Sequence, residues 1–157
     1  MGSDSIWLYD HLFWSNDPFL GCWTTLALLA PQVQRIRLGT LVSCYSNRQP
    51  SLLAKMSTTL DNLSGGRLIL GLRAGSSDRF HETEEKSYGF PFPKAPVRLD
   101  QLREYIEVIR QMCATEATYN GRYYHVSRAK CFPKPHPETR TPHNCRGERK
   151  EVPENSV

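Results

Sequence analysis

Between Ile6 and Tyr124 the chain alternates short apolar runs with longer stretches whose apolar residues return every three or four positions. No other feature limits the possible folds as tightly. A short run that is apolar at nearly every position suits a strand covered on both faces. Strand–helix–strand repetition is satisfied by parallel strands joined through right-handed crossover helices. The predicted strands are Ile6-Trp7-Leu8-Tyr9, the run from Arg35 to Val42, and Leu68-Ile69-Leu70-Gly71-Leu72.

Helices are predicted between them. Leu20, Trp23, Leu26, Ala27 and Ala30 share one face, and Pro31 helps to end that helix. Ser51 is the expected N-cap of a second helix, with Leu52, Leu53, Met56, Leu60 and Leu63 inward and Gly65-Gly66 as its stop. After a polar stretch and the proline-rich segment 90–96, a third runs from Val97 to Cys113 on a stripe of Leu99, Leu102, Ile106, Ile109 and Cys113. Asn120-Gly121 marks the turn of a short hairpin. The fold class is α/β, and the pattern serves an open doubly wound sheet or part of a (β/α)8 TIM barrel equally. No G-x-G-x-x-G follows the first strand, which counts against a dinucleotide fold.

Composition fits a globular domain: 39% of the 157 residues are hydrophobic and 23% charged. The domain is expected over residues 1–132. The segment 133–157, with Pro133, Pro135, Pro137, Pro142 and Pro153 and almost no apolar periodicity, is expected to be an irregular or disordered tail. A net charge of +4 without a basic run interleaved with aromatics points away from nucleic acid. The first ten residues carry two acids and no base, and no apolar stretch reaches membrane-spanning length. Five cysteines, an odd number without framework spacing, are expected as free thiols in a reducing cytoplasm. Cys131, His136, His143 and Cys145 fit no closed zinc pattern, and no metal is expected.

Ligands of parallel α/β folds bind at the carboxyl ends of the strands. Three such ends carry polar or backbone-permissive residues: Asp10-His11, Thr40-Leu41-Val42-Ser43, and Ala74-Gly75-Ser76. Parallel strands bring these ends to one rim. His11 is suited to proton transfer or to bonding a cofactor ring, because imidazole titrates near neutral pH. Asp10 would fix its tautomer or bind the cofactor; equally, the pair would cap the following turn. Gly75 with Ser76 and Ser77 would approach a ring or phosphate through backbone amides, or form an ordinary strand-to-helix turn.

A resemblance narrows these alternatives. Asp10-His11-Leu12-Phe13, Trp23-Thr24-Thr25-Leu26-Ala27 and Arg35 to Val42 resemble the start of luciferase-like monooxygenase domains. The likeness continues through Arg48-x-Pro50, Leu53-Ala54-Lys55-Met56, Leu60 to Leu68, Leu70-Gly71-Leu72-x-Ala74-Gly75, Tyr88-Gly89-x-Pro91-Phe92-Pro93, Arg98 and Tyr119 to Tyr124. It covers about residues 5 to 135 in collinear order, nearest to the oxidoreductases that use coenzyme F420.

The resemblance implies a TIM barrel that binds F420, or alternatively FMN, at its C-terminal face. Asp10 and His11 would lie at the ring as catalytic and cofactor-binding residues, with Trp14 in the same pocket. A non-prolyl cis peptide would map near Leu41-Val42, and Ala74, Gly75 and Ser76 would approach the cofactor. The implied reaction is hydride transfer with F420 or monooxygenation with FMN, on a small organic substrate. Two positions depart from the pattern. Arg73 stands where the family usually has a small residue, to bind a phosphate or to block the ring pocket, and Ser76 stands where some F420 members have Glu.

A complete barrel needs about 250 residues and eight strands. Three recognisable strands leave open edges that favour association, so a truncated, split or frame-disrupted member is expected. The alternative function is a non-catalytic half-barrel that completes a partner subunit, as a homo- or hetero-oligomer.

Overall fold

The computed structural model describes residues 3–76 and 79–137. In chain order the elements are β1 (Ser5–Leu8), α1 (Cys22–Leu29), β2 (Arg37–Thr40), β3 (Ser43–Cys44), α2 (Pro50–Leu63), β4 (Leu68–Ile69), β5 (Leu72–Arg73), α3 (Arg79–Ser87), α4 (Ala95–Ala114), β6 (Ala117–Asn120) and β7 (His125–Ala129). β1, β2 and β4 make one sheet in the order β1-β2-β4, with both pairs parallel. β3 and β5 form a second parallel pair beyond it, and β6 and β7 an antiparallel hairpin. The three predicted strands therefore lie side by side and point the same way, as in part of a parallel barrel.

Two of those strands are broken where the sequence reads as continuous. The run 35–42 stops at Leu41–Val42, whose peptide bond is cis, and resumes as β3. The run 68–72 opens at Leu70-Gly71 between β4 and β5. Thr40 stitches the two gaps together. Its Oγ1 donates to Gly71 O at 2.9 Å and accepts from Gly71 N at 3.0 Å, while Ser43 N donates to the same carbonyl at 2.8 Å. Gly71 has no room for a side chain: a Cβ would fall on the Thr40 carbonyl and 2.8 Å from Val42 Cγ1.

The core lies between this sheet and α1, α2 and α4, with Leu26, Leu38, Leu53, Tyr105, Val108 and Ile109 almost wholly buried. Burying each large aliphatic side chain contributes about 1.5–3 kcal/mol. Helix α2 starts at Pro50 with no side-chain cap, so Ser51 is not its N-cap. Proline suits the first helical position because the N–H it lacks would have no partner there. Leu52 and Leu63 of the predicted α2 stripe are exposed. Leu53 and Leu60 are buried as predicted, and Ala54, Ser57, Thr58 and Asp61 complete the inward face, whose small residues let α4 pack closely.

The buried face of α4 is likewise rotated, to Arg98, Tyr105, Val108, Ile109 and Met112, leaving Leu99 exposed. Tyr105 stands edge-on to both Tyr45 and Tyr124, and such aromatic contacts favour that face over the aliphatic one. Glu104 serves the hairpin: its carboxylate accepts from the backbone N–H groups of Arg122, Tyr123 and Tyr124 at 2.8, 2.9 and 3.2 Å. Desolvation alone would raise the Glu104 pKa, but these three donors outweigh it and lower it. A depressed carboxylate gives stability that is complete above the ordinary Glu pKa of about 4.3 and is lost as pH falls through the lower folded value. Glu104→Gln should therefore destabilise the chain at neutral pH and flatten the acid limb of its stability–pH curve, as read by urea unfolding at several pH values.

Residues 133–137 form no regular element, yet they are held. Lys134 Nζ donates to Met112 O at 2.9 Å and Thr115 O at 2.7 Å, closing the end of α4, and His136 N donates to Asp61 Oδ2 at 2.8 Å. The expected tail from 138 onward, including His143 and Cys145, lies outside the described residues, as does Ser77. Cys22, Cys44, Cys113 and Cys131 are free thiols. No helix among the described residues is long and apolar enough to cross a membrane.

Candidate active site

The carboxyl ends of the parallel strands converge. Leu41 N donates to Leu8 O at 2.8 Å, tying the first rim segment to the second, and Ser43 N ties the second to Gly71. Asp10 and His11 follow β1 and are both buried. Asp10 is fully engaged: Arg48 binds it through two nitrogens at 2.5 and 3.2 Å, and Trp23 Nε1 donates to it at 3.3 Å. The Trp23 indole also reaches Ser43 Oγ at 3.2 Å, so one N–H joins the first strand tip to the second. A two-pronged guanidinium–carboxylate contact fixes orientation as well as charge.

His11 has a different partner from its sequence neighbour. Its Nδ1 lies 2.8 Å from Glu84 Oε2, and the other Glu84 oxygen accepts from Leu12 N at 2.5 Å. A carboxylate flanked by two N–H groups accepts from both. That sets the Nδ1-protonated tautomer and leaves Nε2 as the exchangeable ring position. The tautomer-fixing task considered for Asp10 thus belongs to Glu84. Around His11 stand the rings of Trp14 at 5.1 Å, Phe80 at 5.7 Å and His81 at 5.0 Å. Trp14 is about half exposed.

At the second tip Thr40 and Ser43 are fully buried, one bonded to Gly71 and the other to Trp23. Surface there comes from Leu41, exposed, and Val42, partly exposed. At the third tip Ala74, Gly75 and Ser76 are partly exposed. Arg98 clamps this loop from α4: Nε donates to Ala74 O at 2.8 Å, Nη1 to Pro93 O at 2.8 Å and Nη2 to Ser76 O at 3.1 Å. Gly75 takes φ +82°, which side-chain-bearing residues rarely adopt.

Two buried thiols, Cys22 and Cys44, are poor nucleophiles. Burial first, then the Asp10 charge, pushes Cys22 up to about 12. Burial, then Glu85, pushes Cys44 to about 11. Neither is a thiolate at neutral pH. Among the described residues, ligand atoms of His11, His81 and Glu84 lie within 4.8 Å of one another, close enough to surround a metal ion. Those groups are already engaged: His81 Nε2 accepts from Arg73, and the Glu84 oxygens accept from His11 Nδ1 and Leu12 N. A guanidinium beside the cluster repels a cation.

Nothing in the sequence alone marks Glu84 or Arg48 as a site residue. Helix α3 shows no apolar stripe, and the signal it does carry is His81, Glu84 and Glu85 at helical spacing, with both carboxylates buried. Arg48 appears in the sequence only within Arg48-x-Pro50, 38 residues from its partner.

Parallel strands with crossover helices, and a buried imidazole–carboxylate pair at their carboxyl rim, make a candidate ligand site of the barrel type. The sequence profile of the luciferase-like monooxygenase family matches residues 1–148, and the chain belongs to that family. It is 33% identical over 146 residues to an F420-dependent glucose-6-phosphate dehydrogenase of Microbacterium testaceum, covering 86% of this chain and 40% of that one. The coenzyme F420-dependent tetrahydromethanopterin reductase of Methanopyrus kandleri superposes with a TM-score of 0.66 at 28% identity, covering 82% of this chain and 38% of that one. An F420-dependent secondary alcohol dehydrogenase, caught with an F420-acetone adduct, shares the fold with a TM-score of 0.73 at 24% identity, covering 84% of this chain and 40% of that one. The chain therefore spans about 40% of the length of these relatives. These structural relatives are TIM-barrel enzymes, and the fold described above is part of such a barrel.

Proposed function

We propose that this chain carries the cofactor-facing segment of an F420-dependent oxidoreductase, which exchanges a hydride with a small organic substrate in the cytoplasm. FMN is the alternative ring. The observation that carries this is the buried His11–Glu84 pair at the rim of parallel strands, in a chain with several relatives named for F420. The residues suit a flat ring: Leu41 and Val42 offer apolar surface at one strand tip, and Gly75 a side-chain-free stretch of loop at another. Ala74 and Ser76 would bind beside Gly75 through their backbone.

Hydride exchange is the chemistry such a ring supplies when bound. This chain's residues handle orientation and protons. Glu84 holds the His11 ring, and His11 Nε2 gives or takes the proton that accompanies oxidation or reduction of the substrate. Asp10, held by Arg48 and Trp23, keeps the segment leading into His11 in place. Thr40 and Ser43 brace the rim from beneath. Trp14 walls the pocket beside His11.

Titrating the full chain with F420 and with FMN, followed by fluorescence, tests this. Saturable F420 binding that is weakened in His11→Ala is the expected result. Absence of binding by the folded chain, restored when a partner chain is added, would instead support the half-barrel that completes another subunit. The outward side chains of β1, Trp7 and the following Tyr9, exposed at 39% and 56%, are the surface such a partner would cover.

A further inference from the structure

Arg73 has no task in the proposed reaction, although it ends β5 on the same rim. Its side chain is partly buried, and its Nη1 donates to His81 Nε2. That nitrogen must offer a lone pair to accept, so the contact brings no negative charge to the guanidinium. Arg73 Nε is shut away from water and has no acceptor among the described residues. No described carboxylate pairs with Arg73. Glu84 is occupied on both oxygens. Glu85 faces the Cys44 thiol, and although one of its oxygens lacks a partner, it forms no ion pair with Arg73. His81 in turn stands 5.0 Å from the His11 ring, so the guanidinium lies one imidazole away from the proposed proton-handling group.

A guanidinium presents its N–H donors in a rigid fork that matches the oxygens of carboxylate and phosphate. Held beside the proposed ligand site with an orphan N–H and, among the described residues, no counter-charge, it suits such a group. We propose that Arg73 is an anion subsite of this pocket, taking the carboxylate or phosphate of the small organic substrate while His81 holds the guanidinium in position. The substrate's identity as a redox partner rests on the proposed function, but anion binding does not require the cofactor.

The test is an NMR titration of the full chain, with inorganic phosphate and, separately, acetate, reading the Arg73 Nε–H and His81 ring signals. A saturable shift with phosphate, acetate or both is expected, and the stronger of the two identifies the anion. Arg73→Gln should weaken that binding about ten- to hundredfold, the usual worth of a charged hydrogen bond. Arg73→Lys, which keeps the charge without the fork, should fall between. No saturable shift in the unaltered chain overturns the proposal, and so does equal affinity in Arg73→Gln. Should Arg73→Gln not fold, the unaltered chain and Arg73→Lys decide in the same way. F420 titrated into the same samples separates the two ideas. Ring binding without an anion response sinks the subsite alone, and an anion response without ring binding sinks the redox assignment alone.

Discussion

Arg48→Ala is expected to cost about 3–5 kcal/mol of folding stability, the usual penalty for stripping the partner from a buried charge. Asp10 is 4% exposed and Arg48 15%. With the guanidinium gone, the carboxylate keeps only the Trp23 N–H, which is shared with Ser43. Water cannot reach it without opening the rim. Urea unfolding should show a lower midpoint with an unchanged slope, because the surface exposed on unfolding is the same. A loss below about 1 kcal/mol would mean the pair behaves like an exposed ion pair, and that Asp10 is not anchored as described. Replacing both partners by apolar residues of similar volume should recover much of the loss, since neither charge is then left alone.

The second large effect is expected at Gly71, where alanine should cost about 3 kcal/mol, the upper end of what overpacking a tight interior costs. The added Cβ meets the Thr40 carbonyl, which is backbone and cannot step aside without breaking the Thr40–Gly71 hydrogen bonds. Gly39 supplies the control. A Cβ there meets the Trp7 ring, but Trp7 is 39% exposed and can swing outward. Gly39→Ala should cost about 1 kcal/mol by the same reckoning. Similar losses for the two variants, measured by thermal or urea unfolding, would show that the stitch between the strand tips is not where the strain falls.

Strand order and direction were legible because the physical rule is local. Leu68 to Leu72 is apolar at nearly every position, it follows a helix stopped by Gly65-Gly66, and a crossover of that length returns parallel. From parallel strands the convergence of Asp10-His11, the Leu41-Val42 segment and the Ala74–Ser76 loop follows directly. The breaks at Leu41–Val42 and Leu70-Gly71 were not legible from periodicity, since both fall inside unbroken apolar runs. The inward faces of α2 and α4 are legible in part: Leu53, Leu60 and Ile109 are buried as the apolar count gives, but small and polar-tipped residues, Ala54, Ser57, Arg98 and Tyr105, take places that it gives to Leu52 and Leu99.

Helix α3 carries no apolar periodicity that would mark it in the sequence, and the roles of Glu84 and Arg48 are equally unmarked. Those roles depend on pairings across 73 and 38 residues. No spacing rule reaches that far.

Helix α3 is attached in an unusual way, for the groups it sinks into the protein are the carboxylates Glu84 and Glu85 rather than an aliphatic seam. Part of its grip is therefore a pair of hydrogen bonds, to one imidazole and one amide. Whatever alters that imidazole, a transferred proton or a newly docked molecule, alters the anchorage of all nine residues. By reciprocity, whatever tugs on the helix alters the affinity of the imidazole for its guest. Occupancy of the pocket and the seating of this outer segment are one linked equilibrium.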